Sequence, residues 1–290
     1  MARSSERDTD AVRGFLPPQN DEERMLMRHA EDLARTAMQR EIPRYSAFLS
    51  DREQLLAEAA MHRAGCNCWH WEGGWPGAER KVLCVEPETT APALPVACLC
   101  IKCKMAPGAE PPRHQDYLGS LLGLELKREA VGDIVPDVSG AGSAWIFTLK
   151  SAARVILSDL CKVGNMSVSV EEKELAQVPA FSGTERETLT ATVSSLRLES
   201  VLAAMLHCSR GMAGELIAAG RVEVNHVAMS SAHAPVYNMD VFTVRGKGRY
   251  QITELPGKYH RLYQVLTSLD GVQKDAEEWW IWSPYRMCRV

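Results

Sequence analysis

The stretch Ser195-Leu196-Arg197-Leu198-Glu199-Ser200-Val201-Leu202-Ala203-Ala204-Met205, continued by Ser209-Arg210-Gly211-Met212-Ala213-Gly214-Glu215-Leu216-Ile217-Ala218-Ala219-Gly220-Arg221-Val222-Glu223-Val224-Asn225, decides how this chain is read. Leu198, Val201, Leu202 and Met205 recur at the spacing of one helical face. Ser209 is an N-cap candidate for a second helix, which carries Ala213, Leu216 and Ile217 and stops at Gly220. Beyond Gly220 the period drops to two: Val222 and Val224 alternate with Arg221, Glu223 and Asn225, and Val241-Phe242-Thr243-Val244 has the same strand chemistry. The pattern predicts two short amphipathic helices joined by a tight turn and followed by hairpin strands.

That order, with an arginine at the second helix start and Gly220-Arg221-Val222-Glu223-Val224-Asn225 entering a strand, resembles the S4 RNA-binding domain. The amides and positive dipole end of a helix N-terminus suit phosphate, and adjacent arginines add fork-shaped donors. Asn225 is positioned in the sequence to reach a ribose or base edge. Arg245-Gly246-Lys247-Gly248-Arg249 places cations beside glycines that let backbone approach a sugar-phosphate chain. Between 197 and 249 six basic residues face four acidic ones, while the whole chain carries −4, so positive charge is local to this unit. A solvated helix pair with scattered arginines is the bland alternative. The joint occurrence of the helix spacing, the asparagine after Val-Glu-Val and the basic hairpin favours RNA.

The chain of 290 residues has room for two or three domains, and its 46% hydrophobic and 24% charged content is that of ordinary globular proteins. A net charge of −4 argues against a general nucleic-acid coat. Apolar runs stay short of the roughly 18 residues of a membrane span. The stretch 1–14 mixes Arg3, Arg7 and Arg13 with Glu6, Asp8 and Asp10 and lacks an apolar core, so it reads as neither a secretory signal nor a good transit peptide. Nine dispersed cysteines suit a reducing compartment better than a disulfide framework. Cys66, Cys68 and His70, with Cys98, Cys100 and Cys103, invite a zinc reading. Strand alternation over Val96–Met105 separates Cys103 from Cys98 and Cys100, so buried small side chains are expected and neither metal nor cofactor.

Upstream, Asn20-Asp21-Glu22-Glu23 opens a helix that Pro43 stops, and Ser50 with Glu53 has the spacing of a capping box over a second helix ending before Gly65. The glycine-broken run Trp69–Lys81 reads as a turn; it lacks the Gly-Lys-Ser/Thr and strand-to-helix setting of a nucleotide loop. From Pro95 the predicted order is strand, helix, strand, strand, helix, strand, the βαββαβ arrangement of ferredoxin-like and RRM-like domains. Trp145 and Phe147 alternate where RRM aromatics stack bases, but the Arg/Lys-Gly-Phe signature is missing, so packing is the expected role. Beyond Leu255 a helix over Tyr259–Leu269 and an aromatic tail, Trp279-Trp280-Ile281-Trp282, folded back on the body, are predicted.

Three segments resemble one family, the YlmH-type (RqcP) S4-domain proteins of bacteria, with plastid relatives called photosystem II S4-domain proteins. They are Phe48–Gln54 with Gly73-Gly74-Trp75-Pro76-Gly77-Ala78-Glu79-Arg80; His114-Gln115-Asp116-Tyr117-Leu118-Gly119-Ser120-Leu121-Leu122-Gly123-Leu124 with Lys127-Arg128-Glu129 and Gly132-Asp133-Ile134; and the S4-like module. The resemblance implies an α+β protein. Its parts are an N-terminal α/β domain (20–94), an RRM-like middle domain (95–183) and a C-terminal S4-like, αL-type domain (195–253); the sequence adds a flexible lead (1–19) and a tryptophan-rich extension (254–290) that has no family counterpart. It also implies a non-enzymatic factor, in a bacterial-type cytoplasm or an organelle matrix such as the chloroplast's, that binds ribosomal RNA and tRNA on the large ribosomal subunit and assists rescue of stalled nascent chains; a monomer is expected. Carried over by position, Arg197, Ser209, Arg210, Arg221 and Asn225 would contact RNA, with Arg245, Lys247 and Arg249 behind them and His114, Lys127 and Arg128 as the middle domain's contacts.

The chain departs from the family in places. Gln115 stands where arginine is common, His226 replaces the usual hairpin glycine, and Gly211 and Gly214 within the second helix each cost about 1 kcal/mol relative to alanine. Two other readings compete. An RNA-modifying enzyme would carry a catalytic domain beside the S4 unit, but His114 and Asp116 are two apart on a helix and form no general-base pair. A protein-interaction scaffold would work through the Trp279–Trp282 tail, which an RNA factor can lose without losing the ribosome.

Overall fold

The computed structural model describes residues 13–88, 94–106, 108–137, 142–179, 181, 186–187, 191–252, 261–262 and 265–266. The chain is a mixed α+β protein with antiparallel sheets and, among the described residues, six α-helices. The Trp279–Trp282 tail lies outside the described residues.

The first layers follow from local signals. Helix α1 (Asp21–Arg40) is capped by Asn20, whose side chain accepts from the Glu23 amide at 2.8 Å. Helix α2 (Asp51–Arg63) starts at Ser50, whose amide donates to the Glu53 carboxylate at 2.7 Å, as the capping-box spacing predicts. Both helices cover one face of a sheet of order β1-β3-β2, built from β1 (Arg44–Leu49), β2 (Trp69–Glu72) and β3 (Lys81–Val85). Sequence reading missed β1 and took β2 for a turn, because both are short, partly buried strands without clean alternation.

Next come β4 (Val96–Cys103), α3 (His114–Leu122), β5 (Val131–Pro136), β6 (Ser143–Leu149), α4 (Lys150–Asp159), β7 (Lys162–Val163) and β8 (Met166–Lys173). They form an antiparallel sheet of order β5-β6-β4-β8-β7. Ala97, Leu99, Ile101 and Cys103 of β4 face α3 and α4, where they meet Tyr117, Leu121, Ala153 and Ile156. Val96 and Cys98 face the other way and, with Phe147, meet Phe48, Val82 and Cys84 of the first sheet. The two sheets are therefore stacked face to face between outer helices.

Two glycines permit that approach. A β-carbon on Gly74, whose φ is +88°, would lie 2.4 Å from Phe147 Cδ1, and one on Gly132 would lie 2.5 Å from Phe48 Cε1. Asp133 ties the same junction: its carboxylate accepts from Trp75 Nε1 at 3.1 Å and from the amides of Glu79 and Arg80 at 2.8 and 3.1 Å. The Gly73–Arg80 and Gly132-Asp133 motifs thus meet as one structural joint.

Packing also covers the aromatics and three of the cysteines. Phe147 is wholly buried and Trp145 lies half-buried 6.4 Å from the Phe181 ring, so the sheet face on which bases could stack is covered. Cys98, Cys100 and Cys103 are buried, and burial pushes the Cys98 thiol up to about 12.

After β9 (Arg186–Glu187) and β10 (Ala191–Thr192), α5 (Leu198–Met205) and α6 (Arg210–Ala218) form the predicted helix pair. They pack on a sheet that contains β11 (Val222–Val224), β12 (Val227–Ala228), β13 (Val241–Val244) and β14 (Gly248–Gln251). The chain then adds β15 (Arg261–Leu262), paired with β10, and β16 (Val265–Leu266), paired with β14 and β9. This corrects the helix expected over Tyr259–Leu269: the described residues there join sheets, and edge pairing outweighs local helical spacing. No helix among the described residues is long and apolar enough to cross a membrane.

Candidate nucleic-acid interface

The helix pair turns sharply at 206–209, where His207 takes a left-handed φ of +49°. Ser209 then caps α6, its hydroxyl accepting from the Met212 amide at 3.2 Å. Ala213 and Ile217 anchor α6 to the core, which leaves Arg210, Gly211 and Met212 exposed on its first turn. Early helix amides lack intrahelical acceptors, so this end presents donors to the outside. The Arg210 guanidinium donates to the Ser194 hydroxyl and stays exposed.

The start of β11 lies beside the β13–β14 hairpin. Arg221 Nη2 donates to the Arg245 carbonyl at 3.0 Å, and the Arg245 amide donates back to the Arg221 carbonyl at 3.0 Å. Lys247 is exposed at the hairpin tip. Arg197 is exposed at the N-cap position of α5. Among the described residues, Arg197, Arg210, Arg221, Arg245 and Lys247 form no ion pair with a carboxylate.

The other face of the same sheet is occupied. Glu223, Thr243 and Arg249 lie in register across β11, β13 and β14, away from the buried Val222, Val224 and Val244. Arg249 is held by Asp51 at 2.9 Å and Glu79 at 3.4 Å, so it joins this unit to the N-terminal layers and does not stand behind the other cations. His226 Nε2 lies 3.8 Å from Asp51; burial is the main force lowering its pKa, against the pull of Asp51.

A cleft of about 380 Å³ opens at this junction, lined by Arg80, His114, Arg128, Asp133, Glu223 and Arg249 among others. His114 begins α3 and is half-buried, and Arg128 donates to the Val131 and Gly132 carbonyls at 2.5 and 3.3 Å. Lys127 is exposed, 3.7 Å from Glu129. Charges of both signs are interleaved here, which suits an internal joint better than a phosphate groove.

Asn225 departs from expectation. At φ +48° it forms the β11–β12 turn with His226, and both ends of its amide are engaged: Nδ2 donates to Asp240 at 2.9 Å and Oδ1 accepts from the Val241 amide at 2.8 Å. A side chain so held shapes the turn and is not directed to a base edge. The partner it uses, Asp240, carried no signal in the sequence beyond one negative charge.

Residues 111–177 match the family model described as "Putative RNA-binding domain in YlmH". The chain is 29% identical over 240 residues to the ribosome-associated protein quality control protein P2 of Bacillus subtilis, covering 82% of this chain and 91% of that protein. Among solved structures, the cell division protein ylmH from Streptococcus pneumoniae aligns with a TM-score of 0.46 at 17% identity, over 57% of this chain and 98% of that one.

Proposed function

We propose, from the premise that this chain belongs to the YlmH-type family of RNA-binding proteins, that it is a non-enzymatic factor associating with ribosomal RNA and tRNA on the large ribosomal subunit. Its place is in translation, as part of ribosome-associated quality control. The observation that carries this reading is the exposed set Arg210, on the open first turn of α6, and Arg221, Arg245 and Lys247, at the start of β11 and the β13–β14 hairpin, free of carboxylate partners among the described residues. Guanidinium forks and helix amides supply phosphate ligands that position a folded RNA without reading its sequence. The middle unit, RRM-like in strand order, has its sheet face covered, and its candidate contact is the exposed Lys127, whereas His114 lines the mixed-charge cleft.

The experiment is sedimentation of the tagged full chain with purified large ribosomal subunits, before and after RNase treatment and at low and high salt. Co-sedimentation that RNase and high salt abolish supports the reading. A chain that stays at the top of the gradient at low salt, or that pellets regardless of RNase, refutes it.

A further inference from the structure

Residues 1–19 read as a flexible lead in the sequence, yet Arg13 is locked into the RNA-binding unit. Its Nε and Nη2 donate to the two oxygens of Asp240, both at 2.8 Å, and Nη2 also donates to the Pro235 carbonyl at 2.7 Å. The guanidinium stands 4.9 Å from the Tyr237 ring centroid. Asp240 is fully buried and also accepts from Asn225 Nδ2 and from the Tyr237 amide, both at 2.9 Å.

What Arg13 grips is the loop 229–240, and that loop holds the start of α5. The amides of Leu198 and Glu199 donate to the Ala234 and Ala232 carbonyls at 2.9 and 3.0 Å, and Pro235 pairs with Arg197 in an isolated bridge. The loop thus supplies acceptors to first-turn amides of α5 and fixes the backbone that carries Arg197.

We infer that Arg13 is a positioning residue for RNA binding: the segment before α1 clamps the loop 229–240, and through it the α5 start with Arg197, without Arg13 touching the nucleic acid. The inference rests on the RNA-binding reading above for its functional consequence but not for the clamp itself. A buried carboxylate deprived of its bidentate partner cannot stay where it is without cost, so the loop must loosen when Arg13 is neutralised.

The test compares full-length wild type with Arg13→Gln and Arg13→Lys by hydrogen exchange and by binding to unfractionated transfer RNA at several salt concentrations. In Arg13→Gln the amides of Leu198, Glu199, Val236 and Tyr237 should lose protection while those of α1 and α2 keep theirs. Affinity should fall about tenfold, the equivalent of one charge-assisted contact, with the salt slope unchanged. Arg13→Lys, which keeps the charge but not the fork, should lie between; if Arg13→Gln does not fold, Arg13→Lys gives the same two readouts. Unchanged exchange at those four amides overturns the clamp. A salt slope reduced by about 0.7 to 0.9 makes Arg13 a phosphate ligand and overturns the positioning role. If wild type binds neither transfer RNA nor subunits, the proposed function fails, and the exchange data still decide the clamp.

Discussion

Arg210 and Arg249 are both arginines of the same basic unit, and the structure gives them opposite fates. Arg210, Arg221, Arg245 and Lys247 are exposed without a carboxylate partner among the described residues, whereas Arg249 is held by Asp51 at 2.9 Å and Glu79 at 3.4 Å. If each of these four cations neutralises one phosphate, together they contribute about −2.8 to −3.6 to the slope of log K against log salt, at roughly −0.7 to −0.9 per contact. A fourfold rise in salt then weakens binding by about 50- to 150-fold. Arg210→Gln should make the slope shallower by about 0.7 to 0.9 and weaken binding at low salt. Arg249→Gln should leave the slope alone, whatever it does to stability, because its charge is already neutralised within the protein. Fluorescence anisotropy of labelled transfer RNA across a salt series measures both. A slope that does not move in Arg210→Gln, or that moves equally in Arg249→Gln, means that the exposed cluster is not where the phosphates sit.

Three further outcomes are expected. Gly74→Ala, which forces a β-carbon to 2.4 Å from Phe147 Cδ1 at a φ of +88°, should cost about 2 to 4 kcal/mol, read as a lower urea midpoint; an unshifted midpoint would show that the sheets can separate freely. Asp133→Ala removes the acceptor of three N–H donors and should destabilise the fold by about 2 to 4 kcal/mol with no change in RNA salt slope, and a thermal midpoint equal to wild type would contradict the tie. His226 has its pKa lowered by burial from 6.5, so the unfolded chain takes up the proton first and stability is lost as pH falls through that value; His226→Gln should flatten the acid side of the stability profile, and an unaltered profile would exclude His226 as its source.

Much of the architecture is written in short-range patterns. Asn20, Ser50 and Ser209 start helices where caps are expected, β4 spans the residues its alternation marks, and the helix pair at 198–218 follows from its spacing and from the turn before Ser209. These features depend on neighbours a few residues apart, so the amino-acid order alone determined them, together with the cationic character of the last unit. The tertiary structure decided which cations remain available. Arg249 is neutralised by Asp51 and Glu79, Asn225 is consumed by Asp240, and Arg13 reaches across the chain to that same carboxylate. It also decided that Phe147 and Trp145 face a second sheet and not solvent. No periodicity encodes such pairings, because the attraction between a buried carboxylate and an arginine depends on their separation in space and on the water excluded around them, neither of which is a property of the intervening sequence.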